Sequence, residues 1–124
     1  MPARTLPAAA EARRRLARRA LAELIGTLLL VAAVVGSGIA AQRLSPSDTG
    51  LELLENAVAT GAALVAIILA VGPVSGAHLN PVVSAVDALF GGLRRVELAV
   101  YAAAQVAGGS PEPSSPMQCS RSPR

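Results

Sequence analysis

The sequence is almost without aromatic residues, and it contains no lysine. Tryptophan is absent, tyrosine and phenylalanine occur once each, and all basic residues are arginine. Basic residues without aromatic neighbours lack the stacking surface that binding of single-stranded nucleic acid requires, so no nucleic-acid partner is predicted. Because aromatic residues are scarce, the sequence also cannot supply the belt of aromatic side chains that membrane proteins usually carry at the lipid–water interface. The single cysteine, Cys119, cannot form a disulfide within the chain.

Apolar residues are abundant and are collected into blocks. They make up 52% of the sequence, compared with roughly 45–50% in an average soluble domain. We find no nucleophile paired with a base and no glycine-rich phosphate loop. The only histidine, His78, has no second histidine or carboxylate to complete a metal site. The sequence therefore predicts neither an enzyme nor a protein that holds a metal or cofactor.

Two apolar blocks are long enough to cross a membrane. Residues 20–41 would form a helix about 33 Å long, which exceeds a hydrocarbon core of about 30 Å. Residues 51–71 form a second block of similar length. Between them, the polar residues 42–50 predict a loop in which Asp48 caps the second helix. The sequence thus predicts a membrane protein with two spanning helices.

The second block is followed by an arrangement that is unusual for a soluble core. It ends at Gly-Pro, and an irregular stretch at 72–79 separates it from an apolar segment at 81–90. That segment would be about 15 Å long as a helix, half of a bilayer. Irregular backbone at bilayer depth is tolerated only where it lines a cavity or is buried by protein. The pattern therefore predicts a re-entrant half-helix, as found at permeation sites.

Asn80 and Pro81 suit the start of that half-helix. Proline fits the first helical position, and the asparagine oxygen can cap the helix while its amide N–H2 remains free to donate to a solute. The helix N-terminus adds about half a positive charge, which repels cations and protons. An ordinary Asn-Pro turn between soluble helices is the alternative, and the dipeptide alone does not exclude it.

Three polar side chains within apolar surroundings are candidate site residues. A carboxylate inside a membrane helix costs about 2.5–3.5 kcal/mol, so Glu23 is predicted to brace the unpaired N–H groups of the irregular stretch. Alternatively, Glu23 reaches the interface beside nearby arginines. Gln105 lies in a third apolar segment, 96–109, and is predicted either to assist Glu23 or to meet lipid head groups. His78 is predicted to be a neutral, structural hydrogen-bonding residue.

Charge placement predicts that the N-terminus lies in the cytoplasm. Six arginines fall within residues 1–19, and Arg94 and Arg95 follow the half-helix on the same predicted side. Residues 1–12 are predicted to be disordered and 13–19 to begin a basic helix. A secretory signal peptide or an organelle-targeting segment is an alternative, but the length of the first apolar run and the second spanning segment argue against a signal peptide.

Three strings of residues resemble the aquaporin (major intrinsic protein) family in their order and spacing. They are Ala-Glu-Leu-Ile-Gly-Thr at 22–27, Ser-Gly-Ala-His-Leu-Asn-Pro-Val at 75–82 and Tyr-Ala-Ala-Ala-Gln at 101–105. The resemblance covers about residues 20–109. It implies an all-α membrane fold of two inverted three-helix repeats, each with a re-entrant half-helix. It also implies homotetramers in the plasma membrane that pass water or small uncharged solutes.

The resemblance also implies roles for individual residues. The implied pore residues are Gly76, Ala77, His78, Leu79, Asn80 and Thr60. Residues 76–79 would contribute backbone carbonyls, Asn80 its side-chain amide, and Thr60 part of the outer filter. The implied supports of the re-entrant loop are Glu23, Gln105, Pro81 and Val82. Thr60 stands where water-selective members carry an aromatic residue, which implies a wider pore for polyols or for neutral metalloid hydroxides such as arsenite.

The sequence departs from the family pattern in other places. Val82 replaces the alanine that usually ends the motif, and it would either reshape the constriction or be absorbed by repacking. The second repeat is absent, and residues 110–124 read as a disordered Ser/Pro-rich tail foreign to the family. We therefore expect an N-terminal repeat over 20–109 with a truncated third helix, which is inactive on its own. The alternative is a small two-helix membrane protein that is not a channel.

Overall fold

The chain folds into four helices, with no strand, over residues 7–110, the part of the protein that the computed structural model describes. The helices are α1 (Ala8–Leu44), α2 (Thr49–Ser75), α3 (Pro81–Leu89) and α4 (Arg95–Gly109). α1 packs against both α2 and α4, and α3 packs against α4. Two helices in this part of the chain, α1 and α2, are long and apolar enough to cross a membrane. The fold is the predicted one of two spanning helices, a half-helix and a third helix. Apart from Ser110, the predicted tail lies outside the described residues.

The surface of α1 and α2 is largely apolar. Large aliphatic side chains more than half exposed include Leu21, Leu28, Val65 and Leu69. By contrast, few large side chains are fully buried, and most of those are polar. Apolar surface in water is unfavourable by about 25 cal/mol per Å², whereas lipid tails are as apolar as leucine. Such a surface suits a protein surrounded by lipid or by other apolar helices.

α1 is longer than the sequence predicted at both ends. It begins at Ala8, so the prediction that residues 8–12 are disordered is wrong. Alanine and glutamate have high helix propensity, and residues 8–12 are four alanines and one glutamate. At the other end α1 continues to Leu44, which shortens the predicted loop at 42–50 to residues 45–48. Gln42 and Arg43 are polar but are good helix formers. The prediction used polarity alone and therefore ended the first helix too early.

α2 is capped as predicted at its start and continues past its predicted end. The Asp48 side chain accepts a hydrogen bond at 3.0 Å from the backbone N–H three residues later. The prediction that the helix ends at Gly-Pro is wrong, because it runs through Pro73 to Ser75. Pro73 lies in the last turn and removes only one backbone donor. The turn then closes through the Gly76 N–H, which donates to the Gly72 carbonyl at 2.9 Å.

Two glycines allow close packing around α1. A Cβ atom on Gly26 would lie 2.5 Å from Leu79 Cδ2, so this glycine makes room for the segment between α2 and α3. A Cβ atom on Gly108 would overlap the backbone carbonyl of Leu24, so α4 approaches the α1 backbone directly. Small residues at helix contacts are typical of membrane proteins.

Candidate functional site

The re-entrant link, residues 76–80, joins α2 to α3 through an uncommon backbone conformation. Gly76 has φ 94°, Ala77 has φ 53° and Leu79 has φ 54°. A residue other than glycine in this left-handed region costs about 1–3 kcal/mol and persists only where its surroundings hold it. Because Ala77 and Leu79 adopt this left-handed conformation without being glycine, contacts with the rest of the protein must hold the link in place.

Glu23 supplies these contacts from the interior of α1. Its side chain is fully buried. Oε1 accepts hydrogen bonds from Ser75 Oγ at 2.6 Å and from the His78 N–H at 3.0 Å. Oε2 accepts from the Leu79 N–H at 2.7 Å and from Gln105 Nε2 at 2.8 Å. A hydrogen bond to a charged group contributes about 1.5–3 kcal/mol, comparable to the backbone strain of the link. The structure therefore places the Glu23 carboxylate against the link.

Gln105 connects Glu23 to the half-helix. Its second Nε2 hydrogen is donated to Ser84 Oγ on α3, at 2.9 Å. Ser84 lies 3.1 Å from His78 Nδ1 and 3.4 Å from Gln105 Oε1, so its hydroxyl hydrogen is assigned to the shorter contact with His78. This assignment puts the proton of a neutral His78 on Nε2. The sequence analysis did not predict that Ser75 and Ser84 take part in this network. The only indication was the presence of serine within an apolar segment.

The carbonyl groups of the link remain unpaired within the described chain. The carbonyls of residues 76–79 accept no hydrogen bond from any residue between 7 and 110. Asn80 Oδ1 accepts from the Val82 N–H at 2.8 Å and thereby caps α3, which begins at Pro81. Asn80 is exposed, and its amide N–H2 makes no hydrogen bond within the same range. Four acceptors, one donor and a helix N-terminus thus adjoin one another.

An open cavity of about 390 Å³ lies beside the half-helix. Its lining residues come from the link, α3 and the following turn and are His78, Val82, Val83, Val86, Asp87 and Phe90. Val82 is 69% exposed. Its two methyl groups therefore line the cavity and are not packed against other residues between 7 and 110.

Thr60 lies in a separate polar cluster between α1 and α2. Thr60 Oγ1 donates to Asn56 Oδ1 at 3.3 Å, and Ser37 Oγ lies 2.6 Å from the same oxygen. Residues 60 and 76 are about 24 Å apart along the helix direction. Thr60 makes no hydrogen bond to residues 76–80 in the described part of the chain, so the predicted pore residues form two separate groups.

A further network at the base of the link was missed from the sequence. The fully buried Tyr101 donates its hydroxyl to the Ser75 carbonyl at 2.7 Å and accepts from Arg19 Nε at 2.8 Å. Arg19 Nη1 also pairs with Glu97 Oε1 at 3.1 Å. Arg94 shares that carboxylate, whose hydrogen bond and negative charge raise the pKa of the exposed Arg94 guanidinium. The only indication of this network in the sequence was the single tyrosine, four residues before Gln105.

Two helices that are long and apolar enough to span a membrane, together with a link held by a buried carboxylate and followed by a short helix, are the features of a membrane protein with a re-entrant half-helix. The chain belongs to the major intrinsic protein family, whose model matches residues 11–111. The resemblance carried by the three sequence strings is thereby confirmed.

Individual relatives share substantial identity with this chain. It is 57% identical over 93 residues to Aquaglyceroporin AqpS of Rhizobium meliloti (strain 1021), covering 75% of this chain and 40% of that protein. It is 39% identical over 93 residues to Probable aquaporin NIP7-1 of Arabidopsis thaliana and to Aquaporin-10 of Milnesium tardigradum, covering 33% and 22% of those proteins. The chain thus spans no more than 40% of the length of these curated relatives. No solved structure matches it.

Proposed function

We propose that the protein forms part of a passive membrane channel for water or small uncharged solutes. The observation that carries this proposal is the run of unpaired carbonyls at 76–79 next to the free amide of Asn80. A solute hydroxyl donates to the carbonyls and its oxygen accepts from Asn80, so the link replaces water of hydration. Glu23 keeps the carbonyls available because it binds two of the link's N–H groups from the other side.

The same geometry disfavours charged solutes. The N-terminus of α3 presents about half a positive charge next to Asn80. The Glu23 carboxylate is fully buried and already accepts from four donors, so it offers no open site for a cation. Neutral solutes therefore pass, while cations and protons are repelled.

The solute class that we propose includes polyols and neutral metalloid hydroxides as well as water. Thr60 is small, and together with Ser37 and Asn56 it makes a polar rather than aromatic surface at the outer level. Such a surface accommodates hydroxyl-rich solutes wider than water. The identity of 57% to a relative named an aquaglyceroporin supports this class.

The proposed orientation puts the N-terminus in the cytoplasm. The Arg19–Glu97 ion pair joins the start of the apolar part of α1 to the first turn of α4. The N-terminal arginines and Arg94 and Arg95 therefore lie at one end of the molecule, the end that the positive-inside rule assigns to the cytoplasm. A homotetramer in the plasma membrane follows from the family resemblance and belongs to the same proposal.

The proposed function can be tested in a chimera that has the full length of a relative. The 93 residues of AqpS that align with this chain are replaced by those of this chain, and the product is reconstituted in liposomes. We expect water and glycerol flux above that of empty vesicles, measured by stopped-flow light scattering. Asn80→Asp retains the cap, because the two residues cap helices equally well, but it removes the amide donor. The loss of one hydrogen bond, about 1.4 kcal/mol, predicts about a tenfold lower flux.

The matched control makes the reverse exchange at another helix cap. Asp48→Asn changes the same atoms at the start of α2, far from the link, and should leave the flux unchanged. A tetrameric, correctly inserted chimera that passes no more solute than empty vesicles would contradict the proposal. That result would favour the alternative of a membrane protein that is not a channel.

A further inference from the structure

A basic pocket of about 250 Å³ lies where α1 and α2 meet, at the proposed cytoplasmic end. Its lining residues are Arg15, Arg18, Arg19, Pro73 and Val74. The lining includes no carboxylate among residues 7–110. The three arginines are spaced three and four residues apart, so they lie on one face of α1.

The three guanidinium groups differ in how far they are already engaged. Arg19 is held by Tyr101 and Glu97, as described above. Arg15 binds Glu11 in an exposed pair on the same helix, and such pairs are weak. Arg18 is exposed and makes no hydrogen bond or ion pair with any residue from 7 to 110. Arg18 and Arg15 therefore have donors available for a phosphate, which guanidinium groups bind in a bidentate manner.

An apolar groove of about 310 Å³ continues from this pocket toward the membrane interior. The groove shares Arg18 and Val74 with the pocket, and its other lining residues are Leu21, Ala22, Ile25 and Val71. From Arg18 to Ile25 it extends about 10 Å along α1. A free phosphate would use only the basic end, whereas a molecule with a phosphate and a hydrocarbon chain fills both parts.

We propose that the pocket and groove together bind one anionic phospholipid of the cytoplasmic leaflet. The phosphate lies against Arg15 and Arg18, and an acyl chain lies in the groove between α1 and α2. Basic pockets between membrane helices on the cytoplasmic side are suited to anionic head groups, and here the charge and the apolar surface are contiguous. The proposal requires only that the chain reside in a bilayer, so it is independent of solute permeation.

The test is lipid retention by the full chain in detergent, counted by native mass spectrometry. Phosphatidylglycerol and phosphatidylcholine are supplied in equal amounts, and we expect preferential retention of phosphatidylglycerol. Arg18→Gln should lower that retention about fivefold, the effect expected for one arginine near an anionic head group. The control is Arg43→Gln, an exposed arginine in the last turn of the same helix, which should change nothing.

A second pair of variants separates a lipid site from a simple anion site. Leu21 and Leu29 are exposed to a similar extent on α1, 55% and 51%, but only Leu21 lines the groove. Leu21→Ala should reduce phosphatidylglycerol retention, Leu29→Ala should not, and inorganic phosphate at the lipid's concentration should not displace it. Equal retention of both lipids, an equal effect of Arg43→Gln, or loss with Arg18→Gln but not with Leu21→Ala would overturn the proposal. Retention confined to dimers of the chain would also overturn it, because a second copy would then form the site.

Discussion

Replacing Glu23 with alanine would leave the backbone N–H groups of His78 and Leu79 without their acceptor. A buried donor that loses its partner costs about 1–3 kcal/mol, and these two hydrogen bonds are 3.0 and 2.7 Å long in the structure. The substitution would also leave the left-handed backbone of Ala77 and Leu79 unsupported. We therefore expect the free energy of local opening of the re-entrant link to fall by about 4 kcal/mol. At about 1.4 kcal/mol per factor of ten, amide exchange in the link should accelerate about a thousandfold.

Hydrogen–deuterium exchange of the full chain in nanodiscs measures this effect at the two amides. Glu23→Ala should remove protection at both His78 and Leu79. Glu23→Gln keeps one acceptor oxygen, so it should remove protection at one of the two amides only. The control is Glu55→Gln, since Glu55 is a carboxylate on α2 whose hydrogen-bond partner is Ser45. If both amides stay as protected in Glu23→Ala as in the wild type, Glu23 is not what holds the link.

Two further substitutions test the packing around α1, each by resistance to unfolding in denaturing detergent. Gly108→Ala places a Cβ atom against the α1 backbone and should lower the free energy of unfolding by about 1–3 kcal/mol. Gly61→Ala, at a position with open space, should not lower it. Tyr101→Phe removes the hydroxyl between Arg19 and the Ser75 carbonyl and should cost about 2 kcal/mol for two hydrogen bonds. Stability unchanged by Gly108→Ala, or by Tyr101→Phe, would mean that the corresponding contact is not tight.

The sequence predicted those parts of the fold that depend on local patterns. Hydropathy located both spanning helices, and the Asn80–Pro81 pair located the start of the half-helix. The energetic cost of an isolated carboxylate in a membrane indicated that Glu23 needs partners. Pro73 misled the prediction, because a proline in the last turn of a helix has the same sequence signal as a proline that ends one.

Contacts between distant residues were beyond the reach of the same reasoning. Arg19 and Tyr101 are 82 positions apart, and no periodicity relates them. The left-handed conformation of Ala77 and Leu79 was equally hidden, since neither residue is a glycine or an asparagine. The pore roles of residues 76–80 and of Thr60 rest on the family resemblance and stay predictions.

The length of α1 has a mechanical consequence. Its 37 residues make a rod about 55 Å long, whereas the hydrocarbon core is about 30 Å thick. Roughly 25 Å of the same unbroken helix therefore extends beyond the hydrocarbon. Arg19 and Glu23 are one turn apart on this rod. Because α1 is continuous from Ala8 through Glu23, a tilt of its N-terminal part would also move the carboxylate that holds the re-entrant link.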